Sequence, residues 1–264
     1  MIKVCFAGVT GWTAPPIVRA IEEAEDVALV AGVSRSAAGQ SLAEAVGAGE
    51  GRISATVAEA LQATDLDVLV DFTSAAAVRD NVQAAVDAGR HVVVGSSGLT
   101  TDDYAEIDRA ARQRGVGVFA AGNFSVMAAV LGRAAAMAAQ HLDHWEILDY
   151  GSDTKPDVPS GTARELAESL ALVRTPERGV PVEQVRGPVE ARGAEVGGTQ
   201  IHSVRLPGFV VSTEIVFAGP GERLVLRHDP GVTPEPYADG VLLAIRRVAD
   251  VPGVRRGLDA LLFA

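Results

Sequence analysis

The chain has 264 residues, 48% of them apolar, which is enough for one large domain or two smaller ones with separate hydrophobic cores. Its formal net charge of −11 argues against nucleic acid as a partner, and its single cysteine, Cys5, excludes an internal disulfide or a cysteine-rich metal site. No apolar run is as long as a membrane span and the N-terminus has no signal-peptide pattern, so we expect a cytoplasmic protein without a membrane partner.

The first predicted element is a buried strand at Ile2–Ala7, followed directly by a glycine-rich turn and a helix. Gly8, Gly11 and Ala14 have the spacing of a dinucleotide-binding turn, in which small residues allow a tight turn and close approach of the pyrophosphate. The predicted cofactor-binding residues of this turn are Gly8, Thr10, Gly11, Trp12 and Thr13. Because such turns also occur in α/β folds that bind no nucleotide, that alternative stays open.

The second predicted strand, Val27–Val33, ends where a dinucleotide site would meet the adenosine ribose. No carboxylate stands there, and the chain instead continues with Ser34, Arg35 and Ser36. A guanidinium beside two hydroxyls suits a 2′-phosphate, whereas an acidic residue would suit a bare 2′-hydroxyl. These three residues are therefore predicted cofactor contacts that favour NADPH, with NADH as the other option and an ordinary exposed loop arginine as the alternative.

Strands and helices continue to alternate as far as about residue 120, which predicts a Rossmann-type, doubly wound parallel sheet in an α/β protein. Polar or glycine-bearing turns follow three of these strands, at residues 71–73, 95–98 and 122–125. Ligands of open α/β sheets bind at the carboxyl ends of the strands, so these turns are expected to line the cofactor. The predicted contacts are Phe72, Thr73, Gly95, Ser97, Asn123 and Phe124.

The pattern changes after about residue 124, where a strand at 145–150 and a helix precede a glycine- and proline-rich segment at 174–198. Three short strands then follow without helices between them, which predicts a second α+β domain built on a mixed sheet. We expect a dinucleotide-binding domain at residues 1–123 plus 232–264, and a substrate-binding and oligomerisation domain at 124–231. The final segments, from Glu235 and over 254–263, are predicted to be helices.

A second anion-binding feature lies at residues 155–163 of this predicted second domain. Ser160, Gly161 and Thr162 would open a helix, whose first N–H groups and dipole hold an anion, and Lys155 adds a positive charge nearby. The segment is typical of a carboxylate pocket. An ordinary helix cap that binds no ligand is the alternative.

Taken together, these motifs, with residues 201–205 and 219–223, resemble dihydrodipicolinate reductase in order and over nearly the whole chain. The resemblance implies hydride transfer from NAD(P)H to a cyclic unsaturated imine dicarboxylate in lysine biosynthesis, by a homotetramer assembled through the second domain. It implies that Gly8 and Gly11 hold the pyrophosphate and that Phe72, Thr73, Gly95 and Ser97 line the nicotinamide. The implied substrate-binding residues are Ser97, Ser152, Lys155, Ser160, Gly161 and Thr162.

The chain departs from that family at two adjacent positions of chemical importance. The family has two adjacent histidines upstream of the lysine, the first regarded as the proton donor, and here Gly151 and Ser152 stand in their places. Neither residue acts as a general acid near neutral pH. The proton would then come from Lys155, from Tyr150 or Asp153 if they point inward, from water, or from an already protonated iminium.

Three hypotheses follow. The first is a dihydrodipicolinate reductase with a displaced acid, and the second is a paralogous imine reductase or reductive aminase that acts on another carboxylate. The third is a non-catalytic NADP-binding sensor, against which the retention of Lys155 and of the complete Ser160–Thr162 turn argues. We expect an NAD(P)H-dependent oxidoreductase.

Overall fold

The computed structural model describes residues 1–263. Its strands are β1 (Ile2–Ala7), β2 (Val27–Val33), β3 (Arg52–Ser54), β4 (Val68–Asp71), β5 (His91–Val94), β6 (Gly117–Ala120), β7 (His144–Gly151), β8 (Ala194–Val196), β9 (Thr199–Arg205), β10 (Val211–Gly219), β11 (Glu222–His228) and β12 (Gly253–Arg256). Its α-helices are α1 (Ala14–Glu23), α2 (Leu42–Val46), α3 (Val57–Ala63), α4 (Val78–Asp87), α5 (Thr101–Arg114), α6 (Val126–Ala139), α7 (Gly161–Ala171), α8 (Ala238–Arg247) and α9 (Asp259–Leu262). Within this part of the chain, no helix is long and apolar enough to cross a membrane.

The polypeptide forms two compact units. Unit 1 comprises residues 1–126 and the segment from Pro234 onward, and unit 2 comprises residues 127–233. Each unit has its own buried apolar cluster, one around the parallel strands and one around strands β7, β9 and β10.

Sheet A, in unit 1, has seven strands in the order β12-β6-β5-β4-β1-β2-β3, and every pair is parallel. Strands β1, β4, β5 and β6 contain runs of consecutive buried residues, as parallel strands covered by helices do. This topology confirms the predicted Rossmann-type fold. The direction of winding reverses between β1 and β4, and open α/β sheets bind ligands at the carboxyl ends of strands beside such a switch point.

Sheet B, in unit 2, is mixed and has the order β11-β10-β7-β9-β8. Strand β7 pairs antiparallel with β10 and parallel with β9. Its residues alternate between buried and partly exposed, so one face of the sheet forms the core with helix α7 and the other does not. The predicted α+β character of the second domain is confirmed.

The prediction for the C-terminal tail is wrong at its start. Residues 254–256 were expected in a helix, but they belong to β12, which extends sheet A by pairing in parallel with β6. The backbone N–H of Val254 also donates to the Asp108 carboxylate at 2.8 Å. Pairing with an open sheet edge outweighs local helix preference here, and only Asp259–Leu262 forms a helix.

Candidate active site

The glycine turn between β1 and α1 lies against the end of β4. Gly8 has a φ of 87°, and a Cβ at this position would stand 2.3 Å from the carbonyl oxygen of Phe72. A Cβ on Gly11 would stand 3.0 Å from the carbonyl oxygen of Gly8. Only glycine is accommodated at residue 8, and the turn has the compact backbone against which a pyrophosphate packs.

The end of β2 brings three predicted cofactor contacts together. The Thr10 and Ser34 hydroxyls lie 2.7 Å apart, and the Ser34 and Ser36 hydroxyls lie 3.1 Å apart. Ser34 is buried, whereas Arg35 is exposed beside it. Trp12 is 53% exposed, and Thr13 is the residue that precedes α1, where its side chain makes no capping hydrogen bond.

A buried carboxylate joins the turns that follow β4 and β5. The Asp71 side chain accepts hydrogen bonds from the Thr73 backbone N–H at 3.2 Å, the Thr73 hydroxyl at 2.9 Å and the Ser96 hydroxyl at 2.5 Å. Its second oxygen accepts from the Asn81 amide at 2.7 Å. No role for Asp71, Asn81 or Ser96 was predicted from the sequence, although a charged residue at the end of an apolar strand was a visible signal.

Phe72 is held between the glycine turn and the end of β5. Its ring stacks on Phe6 with centroids 5.8 Å apart and contacts Phe124 at 5.5 Å. A Cβ on Gly95 would stand 2.2 Å from the Phe72 ring, so residue 95 must be glycine for the ring to lie there. Asn123 is buried and its side chain accepts from the Ser125 backbone at 2.8 Å, while Ser97 is exposed at the surface of the β5 turn.

These features of unit 1 fit a dinucleotide. A glycine turn without room for side chains follows β1, and an arginine beside two serine hydroxyls follows β2. The turns after β4 and β5 are linked by the Asp71 carboxylate. All of them lie at the carboxyl edge of sheet A, where the fold binds nucleotides.

In unit 2, a second buried carboxylate anchors the start of α7. The Asp149 side chain is fully buried, and one of its oxygens accepts from the Ser160 backbone N–H at 2.9 Å, the Ser203 hydroxyl at 2.9 Å and Arg205 at 2.8 Å. Burial alone would raise the pKa of Asp149, but the hydrogen bonds that it accepts, from Ser160 above all, hold the pKa below its ordinary value. The same Arg205 guanidinium also donates to the carbonyl of Asp157 at 2.7 Å.

The first turn of α7 is built as the sequence predicted. Ser160 is the N-cap residue and its hydroxyl accepts from the Ala163 backbone N–H at 3.2 Å. Gly161 has open space where a side chain would stand, and Thr162 is half-buried. Lys155 is 26% exposed and forms an ion pair with Asp157, Nζ to Oδ1 at 2.9 Å. Lys155 thus supplies a cation, and the start of α7 supplies backbone donors, within the same unit.

Gly151 is buried at the end of β7, and its neighbours occupy the space beside its Cα. A Cβ there would stand 3.1 Å from Cδ of Lys155 and 3.2 Å from both Cζ and Nε of Arg205. Ser152 donates to its neighbour Asp153 at 3.2 Å and lies 2.9 Å from the Thr154 hydroxyl. Gly151 and Ser152 themselves supply no acid in place of the two histidines that the resemblance implies.

The structure does not bring Tyr150 together with the α7 turn. Successive strand residues project to opposite faces, so Tyr150 lies on the face of sheet B opposite to Asp149 and Gly151. Its ring stacks on Phe209 with centroids 5.1 Å apart, and the Arg227 guanidinium lies 5.0 Å from its centre. Asp153 is exposed.

Comparisons with known proteins identify the family. Residues 2–124 match the model of the dihydrodipicolinate reductase N-terminus, and residues 123–262 match that of its C-terminus. A 4-hydroxy-tetrahydrodipicolinate reductase from Synechococcus elongatus is 39% identical over 99% of this chain and 98% of its own length. A dipicolinate-bound dihydrodipicolinate reductase from Paenisporosarcina sp. TG-14 is 28% identical with a TM-score of 0.76, covering 98% of this chain and 99% of that one.

An amine dehydrogenase from Mycobacterium smegmatis shares the fold, with a TM-score of 0.65 at 17% identity, covering 98% of this chain and 95% of its own. At that identity the likeness shows the fold alone. The family models together span almost the entire chain, and the site residues described above occur in both matched regions. The chain therefore belongs to the dihydrodipicolinate reductase family, whose members are NAD(P)H-dependent oxidoreductases.

Proposed function

We propose that this protein reduces the C=N bond of a small cyclic carboxylate with NADPH, as 4-hydroxy-tetrahydrodipicolinate reductase does in lysine and diaminopimelate biosynthesis. The principal support is the helix start at Ser160, which is held by the buried Asp149 carboxylate and lies in the same unit as Lys155. Reduction of a C=N bond needs a hydride at carbon, which NAD(P)H supplies when bound, and a proton at nitrogen.

Unit 1 would hold the cofactor. Gly8 and Gly11 would pack against the pyrophosphate, and Arg35 would bind the 2′-phosphate with the Thr10–Ser34–Ser36 hydroxyl chain beside it. The remaining proposed contacts are Trp12, Thr13, Phe72, Thr73, Gly95, Ser97, Asn123 and Phe124. The close approach of Gly8 and Gly95 to Phe72 supports this assignment, because those positions leave no room for a side chain.

Unit 2 would hold the substrate carboxylate. The backbone of Gly161 and Thr162, the Ser160 and Thr162 hydroxyls and Lys155 provide donors of the kind that bind carboxylates, with Ser152 as a further proposed contact in this unit. If a side chain of this unit supplies the proton, Lys155 is the first one to test, because Tyr150 is directed to the opposite sheet face and Asp153 is exposed. A water molecule or an already protonated substrate are the other proton sources.

A second candidate function is that of a paralogous imine reductase or reductive aminase. The observation in its favour is Gly151, beside which Lys155 and Arg205 occupy the space next to the backbone. A substrate site in which Lys155 and Arg205 fill the space beside residue 151 differs in shape from one with histidines at residues 151 and 152. The same cofactor would serve either reaction, so the two candidates differ only in substrate.

The test is an assay of NADPH oxidation with dihydrodipicolinate beside a panel of cyclic imines and α-imino acids. We expect dihydrodipicolinate to be reduced, and the enzyme to require a carboxylate on the substrate. A larger kcat/KM with another imino acid would identify the paralogous function. Binding of NADPH without turnover of any compound would leave the nucleotide-binding sensor.

Cofactor preference should depend on Arg35. Replacing Arg35 with alanine should weaken NADPH binding by about 1.5–3 kcal/mol, the value of a hydrogen bond to a charged group, and leave NADH binding nearly unchanged. Arg35→Lys is the matched control, because it keeps the charge but not the planar donors. Titration of both nucleotides checks this, and an unchanged ratio of the two dissociation constants in Arg35→Ala would refute the assignment.

Substrate binding should depend on Lys155. Lys155→Ala should cost about 2–3 kcal/mol, seen mainly as a higher KM if the interaction is equally strong in the ground and transition states. Asp157→Asn is the control that removes the ion-pair partner and keeps the cation. Steady-state kinetics distinguish the roles: a fall confined to kcat would instead make Lys155 the proton donor, and unchanged kinetics would exclude it from the site.

The protein is also proposed to be a homotetramer assembled through sheet B. The sheet face opposite α7 bears the apolar side chains of Leu148, Val216 and Val225, and Val225 is 50% exposed. Burial of that face between copies would remove apolar surface from water. Light scattering should give the mass of a tetramer. Val225→Asp should lower the measured mass, because it places a charge on the face that is proposed to be buried between copies.

A further inference from the structure

Asp71 is a fully buried charged group with no assigned function. It ends β4 and forms the hydrogen bonds described above with Thr73, Asn81 and Ser96. Three of these bonds come from the two turns that are proposed to line the nicotinamide. One carboxylate therefore organises the protein around that end of the cofactor site.

The hydrogen bonds around Asp71 match those of an ionised carboxylate, whose oxygens only accept. The Ser96 hydroxyl accepts from the Thr73 backbone N–H at 2.7 Å, so its own proton is available for Asp71. The Thr73 hydroxyl accepts from the Asn81 amide at 3.4 Å and donates its own proton to Asp71. Backbone and amide N–H groups supply the other two bonds, so both oxygens act as acceptors, as an ionised carboxyl group does.

This negative charge has no cationic partner. Among residues 1–263, no lysine, arginine or histidine forms an ion pair with Asp71, and all of its hydrogen-bond donors are neutral. The charge acts on Cys5 in the neighbouring strand. Burial is the main reason why the pKa of Cys5 is raised to about 12, and the negative charge of Asp71 adds to that increase. Because the region is desolvated, a nearby positive charge would be stabilised strongly.

We propose that the Asp71 carboxylate stabilises the positive charge of the oxidised nicotinamide ring, and so favours loss of the hydride from the bound cofactor. The inference rests on the proposed function, which sets the nicotinamide against Phe72, Thr73 and Gly95. The reduced ring is neutral and the oxidised ring is cationic, so a fixed anion binds the oxidised form better than the reduced form. Positive charge that develops as the C=N carbon accepts the hydride is stabilised by the same interaction.

The consequence is a measurable difference in binding. At an effective dielectric constant of about 20, one unit charge changes the relative stability of a cation and a neutral form at least tenfold when it lies within about 12 Å of the cation. The ratio of the dissociation constants, NADP⁺ to NADPH, should therefore rise on the order of tenfold when the charge is removed. The same factor shifts the equilibrium between oxidised and reduced cofactor on the protein.

The experiment compares the dissociation constants of NADP⁺ and NADPH for the wild-type protein and Asp71→Asn, measured by calorimetry and by fluorescence. The expected result is weaker binding of NADP⁺, with NADPH much less affected. An unchanged ratio in a variant that still binds both nucleotides would overturn the inference. Failure of the wild-type protein to bind either nucleotide would instead overturn the proposed function.

Three further variants separate charge from geometry. Ser96→Ala removes the 2.5 Å hydrogen bond but keeps the carboxylate, so the ratio should stay near the wild-type value. A change in Ser96→Ala as large as that in Asp71→Asn would show that positioning, not charge, is responsible. If Asp71→Asn does not fold, Asn81→Lys sets a cation where the amide now meets Asp71 at 2.7 Å, and it should raise the ratio relative to Asn81→Gln. Equal ratios in Asn81→Lys and Asn81→Gln would contradict the proposal.

Discussion

Turnover of dihydrodipicolinate by this protein should be slower, by about 10²–10⁴-fold, than that of family members with two adjacent histidines upstream of the lysine. A positioned general acid contributes a factor of that size, and Gly151 and Ser152 supply none. The measurement is kcat with NADPH at saturating substrate, beside a relative that has the histidine pair. The deficit should appear in kcat, because the turn proposed to bind the substrate carboxylate is intact.

Restoring the acid should recover part of the loss, but the structure adds a steric condition. A side chain at residue 151 would begin 3.1 Å from Lys155 and 3.2 Å from Arg205. Arg205 is held by bonds to Asp149 and Asp157, so the flexible stem of Lys155 must move instead. We expect Gly151→His combined with Ser152→His to raise kcat and also to raise KM.

Gly151→Ala is the matched control for that steric effect, because it adds only the Cβ. It should raise KM without raising kcat. Wild-type turnover at an ordinary metabolic rate, unchanged by the double substitution, would mean that another group already protonates the substrate. Lys155 would then be the first position to substitute, followed by Asp153 and Tyr150.

The parts of the molecule that were predictable are those specified by neighbouring residues. A buried strand, a glycine turn and a helix follow one another in the first 23 residues, and repetition of that pattern led to the parallel sheet. The cap at Ser160 is also local, because its hydroxyl bonds a backbone group three residues later. The placement of Tyr150 could have been inferred too, since a strand that buries Asp149 and Gly151 turns the residue between them to the other face.

The remaining features depend on residues that are distant in sequence. Asp149 and Arg205 are 56 residues apart, and their contact exists only because β7 and β9 are neighbours in sheet B. Strand β12 depends on the free edge of β6, which the tail sequence does not reveal. The link between Asp71 and Ser96 likewise joins the ends of two adjacent strands. Composition and periodicity contain no information on such pairings.

Loss of the Asp149 carboxylate should be the most destabilising single change in unit 2. Asp149→Ala leaves the Arg205 guanidinium, which is only 14% exposed, without its anion, and removal of one partner of a buried ion pair costs about 3–5 kcal/mol. It also releases the Ser160 backbone N–H, which orients the first turn of α7. Chemical denaturation should show the lower stability, and KM for the substrate should rise because the turn proposed to bind its carboxylate is no longer fixed.

A double-mutant cycle and a pH series identify the cause. Asp149→Asn with Arg205→Gln should be more stable than Asp149→Asn alone, because no unpaired buried charge remains; additive losses would exclude coupling between the two.

The pKa of Asp149 is lower in the folded than in the unfolded state, where it is about 3.9. Its stabilising contribution is therefore complete above that unfolded value and is lost as the pH falls through the folded pKa. The stability of the wild-type protein should decline in that acid range more steeply than that of Asp149→Asn, which has no carboxyl group to protonate, and parallel curves would assign the acid sensitivity to other residues.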